Sequence, residues 1–195
     1  VATLPPESAD SLDPLLAYWE TARDVARRQM LDALDGSAYR EFVADFGAFL
    51  TTPGAGALAI PDDEPVPFQV RHVAPSLIIT HYESVRAFER LLPGAPLLIT
   101  YHALRIDCKG LRYALEFFRD LLGDEAPALI KQVTGMQDLL GELQDAHVAE
   151  ALLDGFLRDH RKAARKRPAE LSLAGVEAYR EVQLARQAEL VAAFP

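Results

Sequence analysis

Residues 102–123 read HALRIDCKGLRYALEFFRDLLG, and this stretch decides the class of fold. At about 100° per residue, its large apolar side chains fall into two bands on a helix. The first band, between about 160° and 220° from His102, contains Leu104, Leu111, Leu115 and Phe118. The second band, between about 20° and 60°, contains Ile106, Tyr113 and Phe117. This periodicity predicts a long helix from about residue 97 to residue 122.

Outward from this helix, the chain continues with helical periodicity that is interrupted by proline and glycine. We predict further helices over 13–34, 37–50, 68–92, 127–141, 144–161 and 172–193, with a possible break at Pro75 and with Ser37 and Ser172 as N-caps. The only β-like tetrad, residues 97–100, is too short to form a strand alone. The sequence therefore predicts an all-α fold.

A proline-rich stretch over residues 51–67 is the longest predicted loop, with four prolines and two glycines. Long loops that are rich in these residues commonly separate compact parts of a chain. We therefore expect two helical lobes, over residues 1–60 and 61–195.

Charge and composition exclude several classes of protein. The net charge of −9 means that the whole chain repels polyanions, so we expect no nucleic-acid partner, and any anion site must be a local group of cations. The single cysteine, Cys108, allows no intramolecular disulfide, which fits a reducing cytoplasm. No apolar run approaches the roughly 20 residues of a membrane helix, so we expect no membrane partner.

One group of basic side chains lies on a single side of the predicted helix over 97–122. Taking His102 as zero, Arg105 falls near −60°, Lys109 near −20° and Arg112 near −80°, so the four share an arc of roughly 80°. We call them the cationic stripe. A row of phosphates would relieve the repulsion between its like charges. The alternative is an ordinary solvated face, which Glu116, near −40° on the same arc, favours.

The second apolar band flanks the stripe on one side, and we expect it to pack against neighbouring helices and to hold the basic side chains in place. A denser basic run, residues 158–167, lies at a predicted helix end, where cations offset the helix dipole. That placement favours a helix-end role over a peripheral anion patch.

Motifs for catalysis or for metal binding do not occur. The five histidines form no HxxxH or HxH pair, and no Gly-rich phosphate loop, GxSxG or HExxH motif is present. We therefore predict a non-catalytic protein with no metal and no cofactor.

Two motifs resemble those of the CHAD family, the conserved histidine α-helical domain. The family pattern H-x-L-R-[IV]-x-x-K-x-L-R-Y fits residues 102–113. The family then has a helix that ends in L-Q-x-x-L-G-x-x-[NQ]-D, which Leu140-Gly141 and Gln144-Asp145 match. The resemblance covers most of the chain and is strongest over 98–155. It implies two antiparallel helical bundles with a basic channel, and binding of inorganic polyphosphate in the cytoplasm, often at polyphosphate granules.

The resemblance also implies which residues bind. His102, Arg105, Lys109 and Arg112 would contact phosphate oxygens, and Arg71, Arg86 and His81 would add to the same surface. Asp145 would cap its helix or, less favoured, orient an arginine. Two other functions stay open, namely an accessory domain of a phosphohydrolase and a helical scaffold that binds an acidic protein. The oligomeric state also stays open.

This chain departs from the family pattern at two places. Gly110 occupies a position that is usually basic in the family. The first copy of the His-Arg helix does not appear, so we expect a truncated first lobe, in a reduced protein or in a fragment of one. Half of the cationic channel would then be missing.

Overall fold

The computed structural model describes residues 12–57, 70–94, 96–166 and 172–194, with the side chains of 162–165 excepted. Within these ranges the chain forms helices and turns and contains no β-strand, which confirms the all-α prediction. The helices are α1 (Asp13–Leu34), α2 (Ser37–Thr51), α3 (Val70–Arg86), α4 (Leu98–Phe117), α5 (Ala126–Lys166) and α6 (Ala174–Ala193). No described helix is both long and apolar enough to cross a membrane.

The starts of the helices follow local sequence signals. Proline occupies the first turn of α1, where its missing N–H leaves no hydrogen bond unmade. Gly36, in an extended conformation, is the N-cap of α2, and Ser37 is already the first helical residue. The predicted Ser37 cap is therefore wrong. Ser172 lies one residue before the N-cap of α6, although its hydroxyl accepts a hydrogen bond of 3.5 Å from the Ala174 N–H.

Helix α3 continues through Pro75 without a break. The proline stands near the start of the helix, so it removes a single backbone hydrogen bond, to the carbonyl of Arg71. The helix is shorter than the predicted 68–92, because the chain tightens into a 3₁₀ turn over Ala87–Arg90.

Helix α4 also ends earlier than predicted. At Phe118 the backbone leaves the helical region, with φ −98° and ψ 16°, and a single helical turn follows over Arg119–Leu122. Gly123 then adopts φ +65°, a conformation that favours glycine, and turns the chain toward α5.

Helix α5 is one continuous helix of 41 residues. The prediction of two helices, over 127–141 and 144–161, is wrong because Gly141 does not interrupt it. A glycine within a helix costs only about 1 kcal/mol relative to alanine. Its neighbours Leu140 and Leu143 are buried, and their packing offsets that cost.

The described residues fall into two compact units, one within Pro5–Val66 and the other within Pro67–Pro195. The predicted lobe boundary at residue 60 lies outside the described residues. The described part of the first unit contains α1 and α2, and among its described residues one large side chain, Leu15, is buried. Along α2, four aromatic rings follow one another with centroids 5.7–6.3 Å apart, and all four are exposed: Tyr39, Phe42, Phe46 and Phe49.

The second unit contains α3 to α6 and a continuous core. Helix α4 packs against both α3 and α5, and α6 packs along α5. The core is built on α4, with side chains added from α5 and α6: Tyr101, Leu104, Cys108, Leu111, Leu115, Val133, Leu140, Leu143 and Leu190. This core fixes the orientation of α4, which carries the cationic stripe.

Candidate functional site

The buried face of α4 determines which of its side chains reach solvent. All four residues of the first apolar band are buried, with exposures between 2% and 9%. The second band is exposed: Ile106 by 53%, Tyr113 by 51% and Phe117 by 80%. The expectation that this second band packs against neighbouring helices is therefore wrong for the described part of the chain. Helix α4 packs mainly against α3 and α5, and the second band lies on a side of α4 that the described helices leave exposed.

Two contacts define how α4 lies against α5. His102 is hydrogen-bonded through Nδ1 to Oε1 of Gln144 at 2.8 Å, and the Cys108 thiol lies 3.6 Å from the sulfur of Met136. From the first contact to the second, the residue number rises on α4, from 102 to 108, and falls on α5, from 144 to 136. The two helices are therefore antiparallel. We call their line of contact the α4–α5 seam.

The cationic stripe runs along this seam. On the helical wheel of α4, the contacts of His102 and Cys108 with α5 lie about 120° apart. Arg105 and Arg112, near −60° and −80°, fall between these two contacts. Accordingly, Nε of both arginines is buried, and neither Nε has a hydrogen-bond partner among the described residues. The arginine stems thus pack at the edge of the seam.

The charged ends of the stripe have few anionic partners. Arg112 pairs with Glu116 at 3.5 Å, and its guanidinium lies 4.9 Å from the centre of the Tyr113 ring. Arg105 and Lys109 form no ion pair with any described residue. Among the described residues, Glu116 therefore neutralises only part of the stripe.

His102 is held in one orientation by Gln144. An amide oxygen only accepts hydrogen bonds, so Nδ1 of His102 donates to it. In the neutral ring Nε2 is then an acceptor, so the contact with Gln144 sets the tautomer of His102.

The three α3 residues that we expected on the same surface lie in different places. Arg71 and Arg86 stand at opposite ends of α3, about 22 Å apart along its axis. Arg71 lines an apolar groove with Ile78, Leu121 and Leu122. Arg86 lies 3.8 Å from Glu83 and 3.4 Å from Glu89, and the hydrogen bond to Glu89 raises its pKa. Their role in binding stays a prediction.

His81 packs on Gly110, and this contact explains the glycine. A Cβ atom at position 110 would lie 2.9 Å from Nδ1 of His81, closer than real Cβ contacts allow. Gly110 falls near 80° on the wheel of α4, so His81 and the stripe lie on opposite sides of the exposed apolar band. The structure thus brings together His102, Arg105, Lys109 and Arg112, but it does not add His81 to them.

The first two arginines of the basic run, Arg158 and Arg161, lie far from the stripe. Arg158 and Arg161 are 79% and 59% exposed, and they lie 3.8 Å from Asp159 and Glu177, respectively. Arg158 is 14 residues, or about 21 Å, along α5 from the residue that contacts His102. The side chain of Arg165 and all of Arg167 lie outside the described residues.

Asp145 does not cap a helix, because α5 runs through it without interruption. It also forms no ion pair with any described arginine, whereas its neighbour Gln144 contacts His102. Sequence reasoning missed the role of Gln144, since a neutral amide in a long helix carries no charge signal. No three described His, Cys, Asp or Glu residues are grouped so that they could hold a metal ion.

Comparison with known proteins gives one match. A family model described as CHAD domain matches residues 1–154. No curated protein and no solved structure matches the chain.

Proposed function

Because this match spans well over half of its length, the chain belongs to the CHAD domain family, and we propose that it binds inorganic polyphosphate without catalysing a reaction. One observation carries the proposal. Arg105 and Lys109 stand on a packed helix with no anionic partner among the described residues, although the chain has a net charge of −9. An isolated cation pair in such a chain favours an external polyanion as its partner.

The geometry suits an extended anion better than a single phosphate. From His102 to Arg112 the stripe spans about 15 Å along the axis of α4. A single phosphate reaches one or two of these groups, whereas a chain that lies along the seam reaches all four in succession. Each further contact is then intramolecular, and the affinity per chain rises with chain length.

The proposal is one of binding rather than phosphoryl transfer. Enzymes that transfer phosphoryl groups commonly hold Mg²⁺ with carboxylates. The carboxylate on the stripe, Glu116, is already paired with Arg112. The arginines and the lysine stabilise phosphate charge but are poor proton acceptors at neutral pH.

A second candidate is a helical scaffold that binds an acidic protein, and the exposed apolar band favours it. Ile99, Ile106, Tyr113 and Phe117 are exposed by 51–80% beside the cationic stripe. A partner helix with an acidic edge and an apolar face would match both surfaces.

Together with polyphosphate binding, we further propose a cytoplasmic location at polyphosphate granules.

The test is a titration with labelled long-chain polyphosphate, with tripolyphosphate and polyglutamate as competitors, in excess chelator. We expect long chains to bind far more tightly than tripolyphosphate, with an affinity that falls steeply as salt rises. Chelation should leave the affinity unchanged. Equal competition by polyglutamate would favour the scaffold, and release of orthophosphate would contradict a purely binding role.

A further inference from the structure

The α4–α5 seam contains a second glutamine that is related to Gln144 by two helical turns. Gln137 precedes Gln144 by seven residues, so the two lie within about 20° of each other on α5. His102 and Lys109 have the same spacing on α4. Because the helices are antiparallel and His102 contacts Gln144, a step of two turns along both helices brings Gln137 opposite Lys109.

The sulfur contact agrees with this register to within two residues, or about 3 Å along the axis. Cys108 and Met136, which lie 3.6 Å apart, are the residues directly before Lys109 and Gln137. Both helices rise about 1.5 Å per residue, so the register that is fixed at His102 is kept over two turns. Arg105 and Arg112 lie within one turn of Lys109 on α4, at about 6 Å and 4.5 Å along the axis.

This stretch of the seam contains polar atoms of complementary kinds. Oε1 of Gln137 is a buried acceptor without a partner among the described residues. The Nε atoms of Arg105 and Arg112 are buried donors without one. Buried polar atoms are nearly always hydrogen-bonded, directly or through water. One acceptor and two donors that lack partners among the described residues therefore occur along the same two turns of the seam.

We propose that Gln137 is a positioning residue for the cationic stripe, with Oε1 linked through one water molecule to the Nε–H groups of Arg105 and Arg112. Gln144 holds His102 directly at the other end of the seam. Helix α5 thus holds the stripe in the orientation that binds phosphate. This inference rests on the proposed function, because the stripe is taken as the polyphosphate site.

The test compares Gln137→Leu with Gln132→Leu, which makes the same chemical change on the exposed face of α5. Loss of the acceptor frees side chains that must then be ordered on binding, so we expect the dissociation constant for long-chain polyphosphate to rise about three- to tenfold. The melting temperature should change little, because the arginines lie at the edge of the seam, where water can take the place of the lost acceptor. Gln132→Leu should leave the affinity unchanged.

A merely structural role for Gln137 would lower the melting temperature together with the affinity, and that result would overturn the proposal. So would an unchanged affinity in Gln137→Leu, or an equal loss in the Gln132 control.

A second measurement separates this inference from the proposed function. The arginine Nε–H resonances are recorded by NMR without any polyphosphate. Gln137→Leu should shift the signals of Arg105 and Arg112, while Arg158, far along α5, stays unchanged. If wild-type protein fails to bind polyphosphate but these shifts occur, the positioning role stands and the proposed function falls. If wild type binds and no shift occurs, the positioning role is wrong.

Discussion

Reversal of the two stripe arginines tests whether placement or mere basic charge binds polyphosphate. The Arg105→Glu, Arg112→Glu double substitution changes the net charge by −4 and removes two guanidinium groups from the α4–α5 seam. We expect it to abolish most of the binding, because both groups emerge from buried stems that hold them in position.

The magnitude follows from the contacts that are lost. A hydrogen bond to a charged group contributes about 1.5 to 3 kcal/mol, so two contribute on the order of 3 to 6 kcal/mol. Arg112 already pairs with Glu116, and release of that pair reduces its net contribution. We therefore expect a loss near the lower end, about 100-fold in affinity. The slope of log affinity against log salt should fall by about 1.5, since two phosphate contacts disappear.

The matched control is Arg158→Glu, Arg161→Glu, which has the same change of net charge on exposed side chains of the basic run. Its nearer arginine is about 21 Å along α5 from the His102 contact. This distance exceeds two Debye lengths at physiological salt, so the affinity should change less than about twofold.

Fluorescence anisotropy with labelled polyphosphate measures both variants, and circular dichroism confirms that each one folds. Since a glutamate at the seam can itself destabilise the fold, Arg105→Gln, Arg112→Gln serves as a milder pair, with a loss of about 10- to 100-fold expected. Equal losses in the seam and control variants would refute the reasoning, because diffuse charge would then explain the binding.

Three further predictions concern the packing of the second unit. Burial raises the pKa of Cys108 to about 11, so the thiol ionises at lower pH in the unfolded chain than in the folded one. The free energy of unfolding, measured by urea titration, should therefore fall by about 2 to 3 kcal/mol between pH 9 and pH 11. Cys108→Ala should remove this fall. Gly110→Ala should lower the free energy of unfolding by about 1 to 2 kcal/mol, because the new methyl group meets the ring of His81, and His81→Ala should relieve this loss. Gln187→Leu should cost about 1 to 3 kcal/mol in thermal melts, since it breaks buried hydrogen bonds to Glu150 and to a backbone carbonyl; an unchanged melting temperature would contradict this account.

Local sequence signals predicted the ends of helices correctly where a single residue restricts or frees the backbone. Pro14 lies in the first turn of α1, where its fixed φ suits a helix and its missing N–H costs nothing, and Asp35-Gly36 separates α1 from α2, both as expected. Local signals failed at Gly141, because the cost of a glycine is small compared with the packing of the leucines on either side of it. Helix continuity there depends on residues that are distant in the sequence.

By itself, the sequence determined that the chain is helical, that residues 102–112 place four basic groups on one arc, and that the family motifs are present. These properties follow from the 3.6-residue repeat, which sets angles around a helix without reference to any other helix. Only the tertiary structure decided which apolar band of α4 is buried, that Gln144 holds His102, and that His81 packs on Gly110. The reason is that both bands of α4 contain large apolar side chains, and which of them is buried depends on where α3 and α5 lie.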